Sequence, residues 1–348
     1  MKAVTGTTSN KTLASVVIAL AFVGGVVAVV MFDATGRKGS GLSKEFSYDV
    51  GAAARIDPNL ILYEESAQPM STGFSHAHCL AIGPDGLTYV TGDKAVRVFG
   101  GDGKVVRQIE LVGAARPVAV SGDGRVFVGL ADHIEVFDEQ GQPLAVWGSL
   151  GDKAVTTSIA VTQNDVFVAD AGNRVVVRYD MSGKLVGYIG KKDVARNIPG
   201  FIIPSPYFDL AVARDGLLRV VNPGLHRIEA YTFDGDLELS WGAFSSELAG
   251  FTGCCNPVNI ALLDDGSFVT CEKGIVRVKL YGAGGAFVGV VAGPEQLGAK
   301  GDSVACQYPE QCQSGGFDVA VDAQGRVLVL DTIKNVIRVF SRKTGHKP

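Results

Sequence analysis

The sequence predicts an all-β fold: a six-bladed β-propeller with four-stranded antiparallel blades, preceded by one N-terminal transmembrane helix. Three observations support this prediction. A short apolar pattern with a central alanine occurs six times, a tight-turn sequence follows each copy, and an uncharged apolar stretch lies near the N-terminus. The 348 residues, 45 of them glycine, suffice for one large ring of repeated units.

The repeated pattern is an alanine between two larger apolar residues. Its six copies are Leu80-Ala81-Ile82, Val118-Ala119-Val120, Ile159-Ala160-Val161, Leu210-Ala211-Val212, Ile260-Ala261-Leu262 and Val319-Ala320-Val321. We interpret each copy as the innermost strand of a blade, because only small side chains fit where six strands converge on a central axis.

Each copy is followed by a turn, an alternating strand, a short break, a second alternating strand, a second turn and a final strand. The turns contain Asp, Asn and Gly, which tolerate the positive φ angles of tight hairpins. The distance between equivalent turns grows from 38 residues between Asp85 and Asp123 to 59 between Asp265 and Gln324, so insertions are confined to the connections between blades. The predicted blades span about 78–110, 116–149, 157–191, 207–243, 257–292 and 316–343.

The sequence from Val168 to Val175, VADAGNRV, places Asp and Asn in the short break before an Arg-Val strand. This pattern resembles the NHL-repeat family of six-bladed propellers, and the resemblance covers roughly His78 to Phe340. It implies the fold but says little about chemistry, because NHL-type propellers include both scaffolds and enzymes.

Residues 12–32 contain no charged side chain, and as a helix their 21 residues span about 31 Å, the thickness of a bilayer's hydrocarbon core. We expect an uncleaved single-pass membrane anchor. A cleaved signal peptide is the alternative, but the apolar run is long for one and only a weak cleavage site follows it, at Ala34 and Gly36. Flanking charges leave the orientation open, and we expect the propeller on the extracytoplasmic (periplasmic) side.

The anchor follows an N-terminal tail, residues 1–11, and precedes a linker, residues 33–58, that is rich in Gly, Ser and Ala. The propeller is expected over residues 59–343, with a tail at 344–348. Because the sixth unit has no fourth strand of its own, residues 59–64 are predicted to pair as its outer strand and so close the ring.

Charge and motif content exclude several functions. The formal net charge is −4 and no basic cluster is present, so nucleic acid is not expected as a partner. The sequence contains no phosphate-binding loop, nucleophile elbow or zincin motif, and catalytic residues are therefore not assigned.

The six cysteines suggest a site on the face that carries the inter-blade connections. Cys254, Cys255, Cys271, Cys306 and Cys312 belong to blades five and six, and Cys79 lies at the mouth of blade one. Three interpretations are open: structural disulfides such as Cys306 with Cys312, an iron-sulfur cluster or other thiolate-bound metal, and a redox-active vicinal disulfide.

A second candidate site lies at the mouth of the central channel. Residues two before each alanine share one side of the inner strands and form a polar ring: Cys79, Pro117, Ser158, Asp209, Asn259 and Asp318. Asp209, Asn259 and Asp318, with Asn222, could bind Ca²⁺ as in lactonase-like propellers, although a channel mouth is also simply polar and wet. His76 and His78 are weaker metal candidates.

We expect an accessory subunit of a membrane complex that docks a partner through its elaborated face. The segments 201–204 and 244–251 carry apolar residues in insertions on that face, and exposed apolar patches mark contact sites. The alternatives are a redox or metal protein that uses the cysteines and a lactonase- or lyase-like enzyme with a metal at the channel mouth.

Overall fold

The computed structural model describes residues 15–18, 20–22, 25, 54–298 and 316–345. The chain divides into two compact units, Met1–Asp49 and Val50–Pro348. In the first unit, residues 15–18 and 20–22 are helical, and their large apolar side chains are exposed. None of the described helices is long and apolar enough to cross a membrane. Most of the predicted anchor, 12–32, and of the predicted linker, 33–58, lies outside the described residues.

The second unit contains six antiparallel sheets, the blades. Blade one has β3 Ala77–Ile82, β4 Thr88–Gly92, β5 Ala95–Phe99 and β6 Val105–Glu110; blade two has β7 Val118–Val120, β8 Val126–Gly129, β9 Ile134–Phe137 and β10 Pro143–Val146; blade three has β11 Thr156–Val161, β12 Asp165–Asp170, β13 Val175–Asp180 and β14 Leu185–Ile189.

The other three blades complete the ring. Blade four has β15 Leu210–Val212, β16 Leu218–Asn222, β17 Arg227–Tyr231 and β18 Leu237–Trp241; blade five has β19 Asn259–Leu262, β20 Phe268–Glu272, β21 Arg277–Tyr281 and β22 Phe287–Ala292; blade six has β23 Asp318–Val321, β24 Val327–Asp331 and β25 Val336–Arg342, with β1 Tyr63–Glu65 and β2 Met70–Ser71 paired to β25. Short helical turns occur at Pro58–Leu60, Pro223–Leu225 and α1, Pro294–Leu297.

The inner strands establish the number of blades. Strands β3, β7, β11, β15, β19 and β23 each contact the next in this order, and β23 contacts β3. The six repeated alanines all lie on these strands, where a small side chain allows the close approach. The prediction of six four-stranded antiparallel blades is therefore confirmed.

Hydrophobic clusters fill the space between neighbouring blades. Val96 and Val98 of blade one, for example, share a cluster with Val126 and Val128 of blade two. Equivalent clusters lie between every other neighbouring pair, including blades six and one. Burying one such side chain contributes about 1.5–3 kcal/mol to the free energy of folding. Neighbouring blades therefore stabilise one another, and the contact between blades six and one, which closes the ring, is part of this stabilisation.

The ring closes through β1. Tyr63, Glu64 and Glu65 pair antiparallel with Arg342, Ser341 and Phe340 of β25. The sequence suggested this strand at residues 59–64, whereas the structure has a 3₁₀ turn at Pro58–Leu60 and the strand at Tyr63–Glu65. Proline fixes φ near the value of such a turn, and the Asp57 carboxylate accepts the Asn59 N–H at 2.9 Å, which holds the chain curled before the strand begins.

A charged contact reinforces this closure. The Arg338 Nε lies 2.8 Å from Glu65 Oε1, and a second guanidinium nitrogen lies 2.7 Å from Oε2. The Arg338 side chain is 8% exposed. Bidentate pairs of this kind are stronger than single hydrogen bonds and fix geometry, so this pair joins the N-terminal strand to the last blade.

Candidate functional site

The channel mouth contains a cavity of about 170 Å³. Its walls include His78, Cys79, Arg116, Thr156, Thr157, Pro206, Tyr207, Phe208, Asp209, Asn259, Gly316 and Asp318. Four of the ring residues that the sequence singled out, Cys79, Asp209, Asn259 and Asp318, are thus brought to one cavity. The surface is mixed, with two carboxyl groups opposite an arginine, a histidine and a tyrosine.

The ring residues bind the inner strand of the next blade. Asp209 Oδ2 accepts the Ile260 N–H at 2.7 Å, and Asp318 Oδ2 accepts the Leu80 N–H at 2.7 Å. In both cases the donor residue immediately precedes the alanine of the following blade. Buried N–H groups need such acceptors, so these carboxyl groups act as clasps between blades.

Two other ring positions form related contacts. The Ser158 hydroxyl accepts the Leu210 N–H at 3.3 Å, which links blade three to blade four. The Asn259 side chain donates to the Phe317 carbonyl at 2.8 Å, which links blade five to blade six. The polar ring is consequently a set of connections between blades, and this structural role accounts for its polarity.

Burial raises the pKa values of the two carboxyl groups, Asp209 and Asp318. Removal from water, together with the negative charge of Asp318, raises the pKa of Asp209 to about 7. The pKa of Asp318 is also raised by burial, against hydrogen bonds from Leu80 and Cys79 that favour its ionised form. A buried carboxyl group becomes protonated more readily because the low-polarity surroundings penalise its charge.

The structure therefore offers a different role from metal binding for these carboxyl groups. The Oδ2 atoms of Asp209 and Asp318 accept backbone N–H groups. Within the described residues, no group of three or more His, Cys, Asp or Glu side chains is placed to hold a metal ion. Asn222 lies apart from the cavity: its side chain is fully buried, donates to Gly200 O and Glu229, and accepts the Ile202 N–H at 3.0 Å.

The two histidines before blade one have different surroundings. His76 Nδ1 lies 3.6 Å from Asp93, and its side chain is largely exposed. His78 lines the cavity, where burial and then the charge of Arg116 lower its pKa. A neutral imidazole beside an arginine can donate or accept a hydrogen bond, and His78 is therefore a polar group of the cavity wall.

The cysteines fall into separate environments. Cys79, Cys254, Cys255 and Cys271 are free thiols in the structure, and Cys306 and Cys312 lie outside the described residues. Cys79 hydrogen-bonds to Asp318 in the cavity wall, whereas Cys271 is fully buried and its thiol donates to Glu272 O at 3.8 Å. Cys254 and Cys255 lie together, with 3.2 Å between their sulfur atoms.

An apolar patch lies on blade four, on the connections that the sequence indicated as a docking face. Phe244 is 64% exposed and Ile202 is 46% exposed. The turn Pro223–Leu225 lies between them: the Gly224 N–H donates to Ile202 O at 2.9 Å, and the ring of His226 meets the Phe244 ring edge-on at 5.3 Å. We call Ile202, Leu225 and Phe244 the blade-four patch.

The apolar residues of segments 201–204 and 244–251 are exposed only in part. Phe201, Ile203 and Phe251 are buried, because alternate residues of these insertions pack onto the blades. Phe201 packs against Phe208 at 4.8 Å between ring centres, and Phe251 against Tyr281 at 5.5 Å. The buried apolar residues thus hold the insertions in place, and Ile202 and Phe244 remain exposed.

A buried ionic cluster fixes the insertion that carries Phe244. Glu272 accepts from Arg277 at 2.7 Å and from the Thr252 N–H at 3.0 Å. Lys279 lies 3.2 Å from the same carboxylate and donates to the carbonyls of Leu248 and Gly250. These charges are inaccessible to water, so their pairing is required, and it ties the loop to blade five.

Sequence reasoning missed this cluster and several residues of the cavity. Arg116 and Tyr207 of the cavity wall are isolated in sequence, and so is Lys273, which lies beside Cys255 outside the cavity. Nothing in their spacing indicates these positions. The charges of Arg277 and Lys279 were detectable as alternating basic residues on a strand, a pattern that ordinarily marks an exposed face. Their burial follows from the long insertion that covers blade five.

No protein-family model matches the sequence, and no match is found among curated proteins. Solved structures share the fold. A streptogramin B lyase superposes with a TM-score of 0.55 at 12% identity, covering 79% of this chain and 97% of the other. A Bacteroides thetaiotaomicron protein of unknown function gives 0.55 at 16% identity, covering 80% and 73%. Virginiamycin B lyase from Staphylococcus aureus gives 0.51 at 13% identity, covering 77% and 80%. At such identities the likeness shows the propeller fold alone.

Proposed function

We propose that this protein is an NHL-type propeller, anchored in a membrane through residues 12–32, that docks a partner protein at the blade-four patch. The observation that carries the proposal is the pair of exposed apolar side chains, Phe244 and Ile202, on either side of one turn. Interface anchors are typically apolar or aromatic side chains presented on a stable surface.

The backbone around the patch is already ordered. Asn222 binds both Gly200 and Ile202, and Ser245 and Ala243 pair with Phe251 across the base of the next insertion. Docking would then require little further ordering of these loops, which lowers the entropy cost of binding. Fixed loops that expose large apolar side chains to water support a role in recognition.

Charge indicates the kind of partner. Lys192 is exposed on the connection that carries Ile202 and packs against Gly200, whereas the ammonium group of Lys191 lies over the Tyr188 ring. A complementary surface would present an apolar side chain with flanking carboxylates. The proposed partner is accordingly a protein with an apolar, acid-flanked contact, and another subunit of a membrane complex meets that description.

Native electrophoresis of the full-length protein from solubilised membranes tests the docking proposal. The wild type should migrate in an assembly larger than a monomer. Phe244→Asp, alone or with Ile202→Asp, should migrate as a monomer, whereas Leu144→Asp should resemble the wild type because Leu144 is 55% exposed on the outer strand of blade two. A monomeric wild type, or an assembly unaffected by both patch substitutions, would refute docking at this patch.

Membrane anchoring has its own test. The full-length protein should remain in the membrane pellet after alkaline carbonate extraction, because a spanning helix is not removed by high pH. A chain with Val17→Glu and Leu20→Arg should be released to the supernatant. Release of the wild type under the same conditions would reject the anchor and leave the docking proposal standing.

A further inference from the structure

We propose that Cys254 and Cys255 form a thiol–disulfide exchange site for low-molecular-weight thiols and their disulfides. The two residues are adjacent in sequence, and their sulfur atoms lie 3.2 Å apart. Cys254 is exposed, whereas Cys255 is 1% exposed. One sulfur is therefore accessible to a reagent from solution and the other is held directly behind it.

The surroundings of Cys255 favour a thiolate. Its Sγ lies 3.4 Å from the Ser205 hydroxyl. Burial opposes ionisation, but hydrogen bonds from Ser205, Cys254 and Lys273 and the charge of Lys273 outweigh it and lower the Cys255 pKa. Lys273 is itself buried, at 4% exposure, so its charge acts through a poorly screening medium.

Cys254 has the opposite character. Burial and its hydrogen bond to Cys255 raise the Cys254 pKa, since the thiol donates its proton toward the neighbouring sulfur. Of the two sulfur atoms, that of Cys255 therefore ionises more readily than that of Cys254. The leaving group of a thiol exchange departs more easily when its pKa is low, and the stabilised thiolate is the buried one.

Reduction of the vicinal disulfide proceeds in two balanced steps. A thiolate RS⁻ attacks Cys254 Sγ, the Cys254–Cys255 bond breaks, and the electron pair leaves on Cys255 Sγ beside Ser205 and Lys273. A second thiolate attacks the external sulfur of the Cys254 mixed disulfide, releases RSSR, and Cys254 takes up a proton. The sum is one protein disulfide and two RSH giving Cys254 thiol, Cys255 thiolate, RSSR and one proton; the reverse reaction oxidises the pair.

The stabilised product makes the oxidised site a good oxidant. A dithiol form that holds one thiolate in favourable contacts is lower in energy, so the disulfide is reduced more readily than an ordinary structural disulfide. Cys271 cannot take part from its position, because it is fully buried and its pKa is raised by burial and by Glu272. It supplies a matched control.

The experiment equilibrates the full-length protein with glutathione and its disulfide and maps the cysteines by mass spectrometry after alkylation. In wild type and in Cys271→Ala, oxidation should yield a Cys254–Cys255 disulfide. In Cys255→Ser, glutathione should accumulate on Cys254, because no thiolate remains to displace it. A disulfide from Cys254 to Cys306 or Cys312, or glutathione accumulating equally on wild type and Cys255→Ser, would overturn the proposal.

A kinetic readout separates exchange from a merely structural thiol pair. Ser205→Ala and Lys273→Met should each slow reduction of the oxidised wild-type pair by glutathione on the order of tenfold, because the leaving thiolate loses a donor. The pH dependence of Cys255 alkylation in Cys254→Ser should shift upward in both variants. Unchanged rates and pH profiles in variants that fold normally would show that Cys255 is not a stabilised leaving group.

Discussion

At the scale of single residues, the position of Asp209 was predicted correctly from the sequence, but its observed role differs from the predicted one. Its spacing before Ala211 put it on the channel side of an inner strand, and it lies in the cavity wall. A carboxylate in that position is a natural ligand for a hard cation. Only the structure reveals that Asp209 Oδ2 accepts a hydrogen bond from the Ile260 N–H, because that donor lies 51 residues further along the chain.

The acidity of Asp209 leads to a prediction about pH. Its pKa, raised to about 7 in the folded protein from 3.8, means that the folded state binds the proton more tightly than the unfolded chain. The stabilisation contributed by this group is therefore fully present below pH 3.8 and is lost as pH rises through about 7. Between pH 5 and pH 8 the free energy of unfolding should fall on the order of 2 kcal/mol from this group.

Urea denaturation at a series of pH values checks this prediction. Asp209→Asn should reduce the decline, since the amide oxygen can still accept the Ile260 N–H and carries no charge. Asp93→Asn is the control, because hydrogen bonds from Ser75 and His76 hold the pKa of Asp93 below its usual range and it does not titrate above pH 5. An equal decline in Asp209→Asn and wild type would contradict the assigned acidity.

The ionic cluster of blade five gives a second residue-scale prediction. Glu272→Gln should lower the free energy of unfolding by about 3–5 kcal/mol, because Arg277 and Lys279 would remain buried without their counter-ion. Denaturant titration measures the loss. Asp264→Asn, which removes an exposed ion pair with Arg214, should have a far smaller effect. Comparable losses in the two variants would show that the cluster is not essential to blade five.

At the scale of strands and turns, the sequence predicted the regular parts well because each blade repeats one pattern. Alanine marked the inner strand, and Gly at the second turn has a reason visible only in three dimensions. Gly285 has φ +83°, and a Cβ atom there would lie 2.5 Å from the ring of Trp241 on the preceding blade. The turn of one blade thus provides space for an aromatic side chain from its neighbour.

Gly285→Ala should therefore be destabilising by about 2–4 kcal/mol, the sum of left-handed backbone strain and overpacking. Gly86→Ala isolates the first effect, since Gly86 has φ +75° and no atom within 4 Å of its added Cβ. It should cost about 1–2 kcal/mol. Melting temperatures of the two variants provide the comparison, and equal shifts would exclude the contact with Trp241 as a determinant.

The existence of a closing strand could be predicted, because the sixth blade lacks a fourth strand of its own. The register of that strand could not. The register depends on the 3₁₀ turn at Pro58–Leu60 and on Glu65 meeting Arg338. Arg338→Glu should lower stability by about 2 kcal/mol, and adding Glu65→Arg should recover part of the loss. Glu64→Arg, at an exposed neighbouring position, should not rescue it. Thermal denaturation of the wild type and these three variants provides the comparison, and equal stability of the two double variants would contradict the pairing of Glu65 with Arg338.

At the scale of the whole molecule, the six repeated alanines predict the six blades. The conformation of the insertions between blades could not be predicted from the sequence. Their sequences lack periodicity, so nothing in them distinguishes Phe251, which is buried, from Phe244, which is exposed. Tertiary contacts determine which of the two is buried: Phe251 packs against Tyr281 and lies beside Lys279, which belongs to the ionic cluster around Glu272. The ring then acts as a rigid support, and the connections on its face carry both the proposed docking patch and the vicinal cysteines.

Site-specific photocrosslinking in intact cells tests the central proposal of docking most directly. A photoreactive amino acid is placed at position 244, at position 202 or, as a control of similar exposure, at position 144 of the full-length protein. We expect one and the same protein to be crosslinked from positions 244 and 202 and to be absent from position 144. No crosslink from 244 and 202, or the same product from all three positions, would contradict it.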